Sequence, residues 1–448
     1  MSTALDPYTN MSLDTAELSW LFADGLIGAD PKDLARGSLS AIAPSADLRS
    51  STPAHRSFRY RLRPGIRWHD GKPFVAEDVV ACLTRLKGGI VGKLRPYRLV
   101  ERIEVIGPHE FVVHLIEADP AFPLAFFGPL GSPGVPLIRP GALPIGTGPF
   151  RLESHRPDGT SYVAWSGSPR GDAASRRLSL QYLASAQTQD VMLQTREIDI
   201  ALGADNIFVR DHHMHYIKQN AGIGYALLNV SGTLANPNLR EGIARAVDRN
   251  ELVVKAYRNW ADPLTSILPE RAPGGDVHSP LHFDLAAAKR SFAASPNVKL
   301  TIVTTAGNPE RIALLLQEQL RRAGAQTELR RYSDLEYAAP NGPLQTGRFD
   351  IALWGDVYAL DPDLLAIWGC DARPPRGNNF SRLCDPRFDA DVRAGRSESA
   401  LHAFWRDVAV VPLAGFARCT AATTRVRGLT SPNDLAPSVY NCTQWSLT

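Results

Sequence analysis

The sequence predicts an α/β protein of two lobes with a smaller α+β subdomain, and three observations lead there. Strand-like and helix-like segments alternate through the C-terminal half. Short alternating runs and one amphipathic helix occupy the N-terminal third. Between these regions the Pro/Gly-rich passage FFGPLGSPGVPLIRPGALPIGTGPF suits a crossover from one part to the next. A chain of 448 residues exceeds the soft prior of about 150 residues per domain, so two or three lobes are expected.

Composition narrows the function classes. With 44% hydrophobic and 21% charged residues the chain can build sizeable cores and is neither disordered nor fibrous. No apolar run reaches the roughly 20 residues of a membrane span. The net charge of +3 is small and the positive residues are scattered, which argues against a nucleic-acid surface. A small molecule and a transporter are the expected partners.

Local chemistry is clearest from Phe58 to Leu86. Phe58, Tyr60 and Leu62 alternate with Arg59, Arg61 and Arg63, the period of a half-buried strand; Pro64-Gly65 turns the chain, and Ile66 and Trp68 resume a second strand. Asp70-Gly71 breaks it again. Glu77 and Asp78 then favour the exposed amides of a helix start, and Val79, Val80, Leu83 and Leu86 form its apolar face. VERIEVIG and EFVVHLIE make a strand pair around a Gly-Pro-His turn.

Past the crossover come the strands TSYVAWS and LSLQYLA, the helical QTQDVMLQTRE and the short strand IDIAL. GYALLNVSG, at 224 to 232, ends a strand and opens the last part. There the helices LREGIARAVDRNELVVKAY and PERIALLLQEQLRRAG flank KLTIVTT, and RFDIALWG adds a strand, predicting a largely parallel sheet. Asp361, Pro362 and Asp363 read as N-cap, first-turn proline and dipole-compensating acid of a helix over LLAIW.

Apparent catalytic signals dissolve on inspection. His109-Glu110 with His114 resembles a zinc-protease motif, but the second histidine comes five residues after the first and FVVHL alternates as a strand. His212, His213 and His215 in VRDHHMHYI are weak metal candidates, since no Cys or carboxylate completes a ligand set at recognisable spacing. Phosphate-loop, GxSxG and dinucleotide motifs are missing from the sequence, so neither enzyme nor cofactor is expected. Cys370 and Cys384 bracket a Pro/Gly-rich loop that a bridge can staple, Cys419 and Cys442 are a second candidate pair, and Cys82 reads as a buried thiol. Five reduced core cysteines are the alternative.

Four ordered motifs carry a family resemblance. LRPGIRWHDGKPFVAEDV matches the signature LRpGvkwhDGkpftAeDV of the extracytoplasmic solute-binding proteins of family 5, which serve peptide and nickel ABC importers. ALDPY at 4 to 8 resembles the family's slDP opening, PIGTGPFRLES at 144 to 154 its IGTGPyrl crossover, and LREGIARAVDRNELV at 239 to 253 its vRqAiayAiDReaiv segment.

The resemblance implies a two-lobed periplasmic-binding-protein fold of type II, cluster C-like, with a ligand cleft between the lobes. On it, 1–24, 144–228 and 425–448 form lobe I at the base of the cleft, 25–143 the small subdomain and 229–424 the closing lobe. The implied function is capture of a short peptide or peptide-like solute by hinge closure, for delivery to an inner-membrane ABC permease. No nucleic-acid partner is expected, and the protein is expected to be a monomer. Met1 is followed at once by Ser-Thr-Ala-Leu-Asp-Pro. Either a leader has been trimmed, which is the expectation and places the protein in the periplasm or on an extracytoplasmic anchor, or the chain is a cytoplasmic relative.

Site residues carry over by position. In peptide-binding relatives a Trp and then an Asp that pairs with the ligand's α-amino group end the strand where Trp354, Gly355 and Asp356 stand. A carboxylate suits that task because the charge-assisted hydrogen bond offsets desolvation when a cation arrives. Nickel-binding relatives show WGxxYDP, and Tyr358 keeps that spacing before a two-residue insertion. Their anionic chelate meets an arginine in the loop that here reads FPLAFFGPLGSPGVP, which has none. Tyr8 and Met11 follow the slDP motif, Asn229 sits at a hinge-side strand end, and Tyr440 and Asn441 return late in the chain. The alternatives are a metal-chelate receptor of the same family and the ligand-sensing part of a cytoplasmic regulator.

Overall fold

The structure is a computed structural model that describes residues 5, 7–8, 13–27, 46–52, 55–88, 95–119, 122, 134–183, 185–204, 214–270, 272, 274–356, 362–430 and 438–448. The chain divides into two compact units, Met1–Ala221 with Arg418–Thr448, and Gly222–Ala417. It passes between them within the strands Met214–Leu228 and Val410–Thr423. The boundaries expected at 228/229 and 424/425 stood at the ends of these strands. The change of unit falls inside them instead, because the two stretches of Val410–Thr423 pair with different partners: Ala414 and Gly415 with Asp262–Pro263, and Cys419 to Ala422 with Ile200–Ala204.

In the first unit, β1 (Gly25–Ile27) pairs with β6 (Gly134–Pro136), and β2 (Ala46–Ser51), β3 (Ser57–Leu62), β4 (Val100–Gly107) and β5 (Glu110–Leu115) form an antiparallel sheet in the order β2-β3-β5-β4. Phe58, Tyr60 and Leu62 of β3 and Phe111, Val113 and Leu115 of β5 turn into one core, as the alternation predicts. The helix Ala76–Gly88 lays Val79, Cys82, Leu83 and Leu86 on that core. Val80 is only half-buried.

The second strand expected at Ile66–Trp68 is a single bridge between Arg67 and Pro73. Its bonds, Phe74 N to Ile66 O and Trp68 N to Lys72 O at 2.9 Å, close so tightly over Gly71, whose φ is +84, that no ladder extends. Trp68 is fully buried and its indole donates to Asp78 Oδ2 at 3.0 Å; the same oxygen accepts the Val75 amide at 2.9 Å. One first-turn carboxylate thus serves both the helix start and the buried indole, whose burial is worth roughly 2–3 kcal/mol.

Beyond the crossover, β7 (Phe150–Arg156), β8 (Gly159–Ala164) and β9 (Arg177–Gln181) make a meander, and β10 (Ile200–Ala204) follows the helix Ala186–Gln194. A buried ion pair ties distant segments together. Arg170 Nε donates to Asp24 Oδ1 at 2.8 Å, Thr147 Oγ1 donates to Asp24 Oδ2 at 2.9 Å, and the Arg170 guanidinium also reaches the carbonyls of Trp20 and Tyr440.

The second unit is built on a mixed sheet. Ile223–Leu228, the end of β11 (Met214–Leu228), runs antiparallel to β15 (Ile351–Asp356), which is parallel to β13 (Lys299–Thr305), itself parallel to β14 (Gln326–Tyr332). The short β12 (Asp262–Pro263) pairs with β16 (Val410–Thr423). The parallel pairs β13–β14 and β13–β15 stand where helical crossovers such as Asn308–Arg322 return the chain to its starting edge. β11 and β16 enter and leave the unit with no crossover of that kind. The helix expected over LREGIARAVDRNELVVKAY breaks into Pro237–Ala246 and Arg249–Tyr257, because Asp248 caps the second through the Glu251 amide. Likewise the helix Leu364–Trp368 is capped by Asp363, whose side chain accepts from Ala366 N, and not by Asp361, which lies outside the described residues.

Cys370 and Cys384 form a disulfide. The second pairing does not form: Cys419 and Cys442 are buried thiols outside any bridge, as is Cys82. Cys419 is held opposite Ala204 in the β10–β16 ladder, whereas Cys442 packs in the aromatic core of the first unit. Among the described residues no helix is long and apolar enough to cross a membrane.

Candidate functional site

β15 carries three apolar residues, Ile351, Ala352 and Leu353, into the core of the second unit and then emerges as Trp354, Gly355 and Asp356. Asp356 is thus delivered by a rigid strand end. Trp354 and Asp356, two apart, share a face, and the register Tyr225↔Trp354, Ile223↔Asp356 puts Tyr225 diagonally across from the acid on that face. The Tyr225 hydroxyl donates to Asp356 Oδ2, and Trp354 Nε1 donates to Oδ1 at 3.0 Å. Each of these carboxylate oxygens therefore has a neutral donor, Oδ2 from the neighbouring strand β11 and Oδ1 from β15 itself.

Aromatic rings hold both donors. Tyr337 stacks on Trp354 at 6.3 Å and Phe380 meets its edge at 5.3 Å; Trp368 packs on Tyr225 at 5.7 Å and on Phe404 at 5.2 Å. Tyr337 is itself pinned, its hydroxyl donating to the carbonyls of Val303 at 3.0 Å and Leu353 at 2.8 Å, and burial pushes its phenol well above the ordinary range. Phe380 belongs to the loop closed by Cys370–Cys384, where the Asn379 side chain donates to the carbonyls of Trp368, Gly369 and Leu383. The ensemble is a braced, half-buried carboxylate beside an aromatic wall, which suits a cation on an organic solute.

Asn229 takes another role. Its Nδ2 donates to Gly347 O and Phe349 O, both at 3.0 Å, and its Oδ1 accepts from Ser231 N at 3.3 Å and Ser231 Oγ at 2.6 Å. That exhausts an amide side chain and makes Asn229 a clamp at the end of β11.

In the first unit, Tyr8 is buried, donates to Pro136 O and carries the Arg85 guanidinium 4.6 Å above its ring. Tyr440 meets Trp20 edge-on at 5.4 Å. Asn441 is buried, its Nδ2 donating to Gly428 O at 3.0 Å and Thr430 Oγ1 at 2.6 Å. These are packing and turn contacts of that unit. Met11, Tyr358, His212 and His213 lie outside the described residues, and His215 falls in β11. Among the described residues no group of three or more His, Cys, Asp and Glu is arranged to hold a metal.

Sequence reasoning missed Tyr225, Tyr337, Trp368 and Phe380. Tyr225 stands inside the segment GYALLNVSG that was read only as a strand. Its period-2 position marks the face it occupies, but the acid it meets lies on a strand far along the chain.

Comparison with known proteins shows the family and the fold. The family model described as bacterial extracellular solute-binding proteins, family 5 Middle, matches residues 44–372. Similar chains include the glutathione-binding protein GsiB of Pectobacterium atrosepticum, 24% identical over an alignment of 424 positions that covers 87% of this chain and 80% of that one. Among solved structures, the periplasmic binding protein DppA of Helicobacter pylori, in complex with the peptide STSA, superposes with a TM-score of 0.83 at 18% identity, over 99% of this chain and 95% of that one. The dipeptide binding protein of Pseudoalteromonas sp. SM9913, in complex with Met-Leu, gives 0.83 at 18%, over 99% and 97%.

Proposed function

The chain belongs to the bacterial extracellular solute-binding proteins of family 5, and from that membership we propose that it captures a short peptide or peptide-like solute and hands it, chemically unchanged, to an ABC permease. The fold is that of the periplasmic binding proteins. Its place is extracytoplasmic, in keeping with the Cys370–Cys384 bridge, which persists in oxidising compartments. Whether it is soluble in the periplasm or anchored at the membrane, and its action as a monomer, belong to the proposal.

The observation that carries the reading is the carboxylate of Asp356, fixed by Tyr225 and Trp354 beside an aromatic wall. In this reading it takes the α-ammonium of the solute, with Trp354 and Gly355 lining the approach. Within the first unit we assign residues 25–143 to a smaller subdomain, supported by the separate β2-β3-β5-β4 sheet. Capture proceeds by hinge closure, so a bound solute selects the state for which it has the higher affinity.

Titration calorimetry against a library of di- and tripeptides, their N-acetylated forms, glutathione, and nickel with and without histidine tests this. Peptides with a free amino group should bind and their acetylated forms should not. Heat from nickel-histidine alone would replace the peptide reading with the metal-chelate one. Small-angle scattering should show a smaller radius of gyration with a bound peptide than without.

A further inference from the structure

Trp354 belongs to an aromatic row that continues across the rim of the sheet through Tyr337 to Tyr332. We propose that Tyr332 is a second subsite of this wall, selecting solutes that carry an aromatic side chain a few residues beyond the one that meets Trp354; the inference rests on the wall facing a bound peptide, as proposed above.

Three observations carry it. The first is topological: in the sheet order β11-β15-β13-β14 the chain leaves β13 for β14 on one side and returns to β15 on the other. Leu316 and Leu320 of the first connection are buried in one core, whereas Tyr337 and Leu344 of the second are buried in the other, so the two connections cover opposite faces. The crevice outside the carboxyl end of β13 is thus a switch point, the place where open α/β sheets receive ligands.

The second is register. Thr305, at the end of β13, pairs with Tyr332, and it stands level with Trp354, two residues beyond the Val303↔Ala352 pair. Neighbours in a ladder share a face, so Trp354, Thr305 and Tyr332 form one row along the rim. All three are half-buried. The third is the ring between the two ends. Tyr337 lies 6.3 Å from Trp354 and 6.4 Å from Tyr332, and its hydroxyl is pinned to the carbonyls of Val303 and Leu353. The middle of the wall is therefore rigid before a solute arrives and loses no rotamer freedom on binding.

Geometry sets the solute. Trp354 and Tyr332 are separated by two strand spacings, roughly 10 Å. An extended peptide advances about 3.3–3.6 Å per residue, so the side chain over Tyr332 belongs about three residues beyond the one over Trp354. A dipeptide does not reach both. The Tyr332 hydroxyl is engaged by the Arg330 guanidinium on its own strand, and the selection rests on the ring.

The test uses the full chain and calorimetry with Ala-Ala, Ala-Ala-Ala-Ala, Ala-Ala-Phe-Ala and Ala-Ala-Ala-Phe. Wild type should bind one of the phenylalanine tetrapeptides about fivefold more tightly than Ala-Ala-Ala-Ala, as expected for one aromatic pair. Tyr332→Ala and Tyr332→Gln should both remove that preference while Ala-Ala and Ala-Ala-Ala-Ala bind as before, and Tyr332→Phe should keep it. Wild type without the preference, or a preference that survives in both Tyr332→Ala and Tyr332→Gln, overturns the subsite and leaves peptide capture in place. So does an equal loss for all four peptides in both variants, or binding of Ala-Ala with none of the tetrapeptides. If wild type binds no peptide of the set, peptide capture fails and this subsite with it.

Discussion

The imidazole of His69 is locked onto Gly148: Nε2 donates to the Gly148 carbonyl at 3.0 Å while Nδ1 accepts the Gly146 amide at 3.3 Å. The backbone adds a third bond, His69 N to Gly146 O at 3.0 Å. Two of the motifs that mark the family, WHDG and IGTGP, are thus one structural joint of the first unit. Both bonds require the neutral ring with its proton on Nε2, since a proton on Nδ1 would displace the Gly146 donor.

That joint predicts a pH dependence. Burial pushes the His69 pKa down to about 4 from its ordinary value near 6.5. Above 6.5 the ring is neutral in both folded and unfolded chains, and the joint contributes fully. Between 6.5 and 4 the unfolded chain takes up a proton that the folded one refuses, so stability falls with falling pH, by up to about 3 kcal/mol over the window. Urea midpoints at pH 7 and pH 4.5 should differ more for wild type than for His69→Gln. Equal slopes in the two proteins would refute the assignment.

Gly146 is required by a close approach. A Cβ built on it would lie 1.9 Å from the Phe22 carbonyl oxygen, and the obstacle is backbone, which cannot swing aside as a side chain can. Gly146→Ala should therefore destabilise by about 3 kcal/mol, the upper range of overpacking costs. Thermal denaturation checks this. A melting temperature within a degree of wild type would show that the segment holding Phe22 yields easily.

Thiol counting tests the cysteine assignment. The chain has 5 cysteines, of which Cys82, Cys419 and Cys442 lie outside the bridge. Unreduced protein in denaturant should give three reactive thiols, and all five after reduction. Replacing Cys370 and Cys384 together by serine should cost about 3 kcal/mol of stability through the freed loop of 14 residues in sequence separation. One reactive thiol in the unreduced protein would restore the Cys419–Cys442 pairing.

Asp356→Asn keeps the shape of the anchor and removes its charge. Binding of peptides with a free amino terminus should weaken by roughly 2–5 kcal/mol, the range for truncating one partner of a desolvated charge pair. Circular dichroism should be unchanged, because the amide oxygen can accept from the Trp354 indole while the amide NH2 donates to the Tyr225 hydroxyl, which can act as acceptor. Undiminished affinity by calorimetry would remove Asp356 from the site.

Much of the secondary structure was legible because it depends on neighbours within a few residues. The alternation of Phe58, Tyr60 and Leu62 marks a strand face, and the apolar positions of Ala76–Gly88 mark a helix face. Where local reasoning failed, two local signals competed. Asp248 could sit inside one long helix or cap a second, and the backbone around Val247 takes the cap. Ile66 and Trp68 alternate like a strand, but the turn at Gly71 comes too soon for a ladder to grow.

By itself the sequence determined the class of fold, the family, the turns and helix faces, and the strand on which Trp354 and Asp356 stand. Tertiary structure alone decided that Tyr225 faces Asp356, that Asn229 spends its amide on Gly347 and Phe349, and that Cys419 and Cys442 stay apart. The reason is range. Periodicity, capping and turn chemistry act over a few residues, whereas the partner of a strand-end side chain is set by the register between strands more than a hundred residues apart, and a shift of one residue would turn Tyr225 to the opposite face.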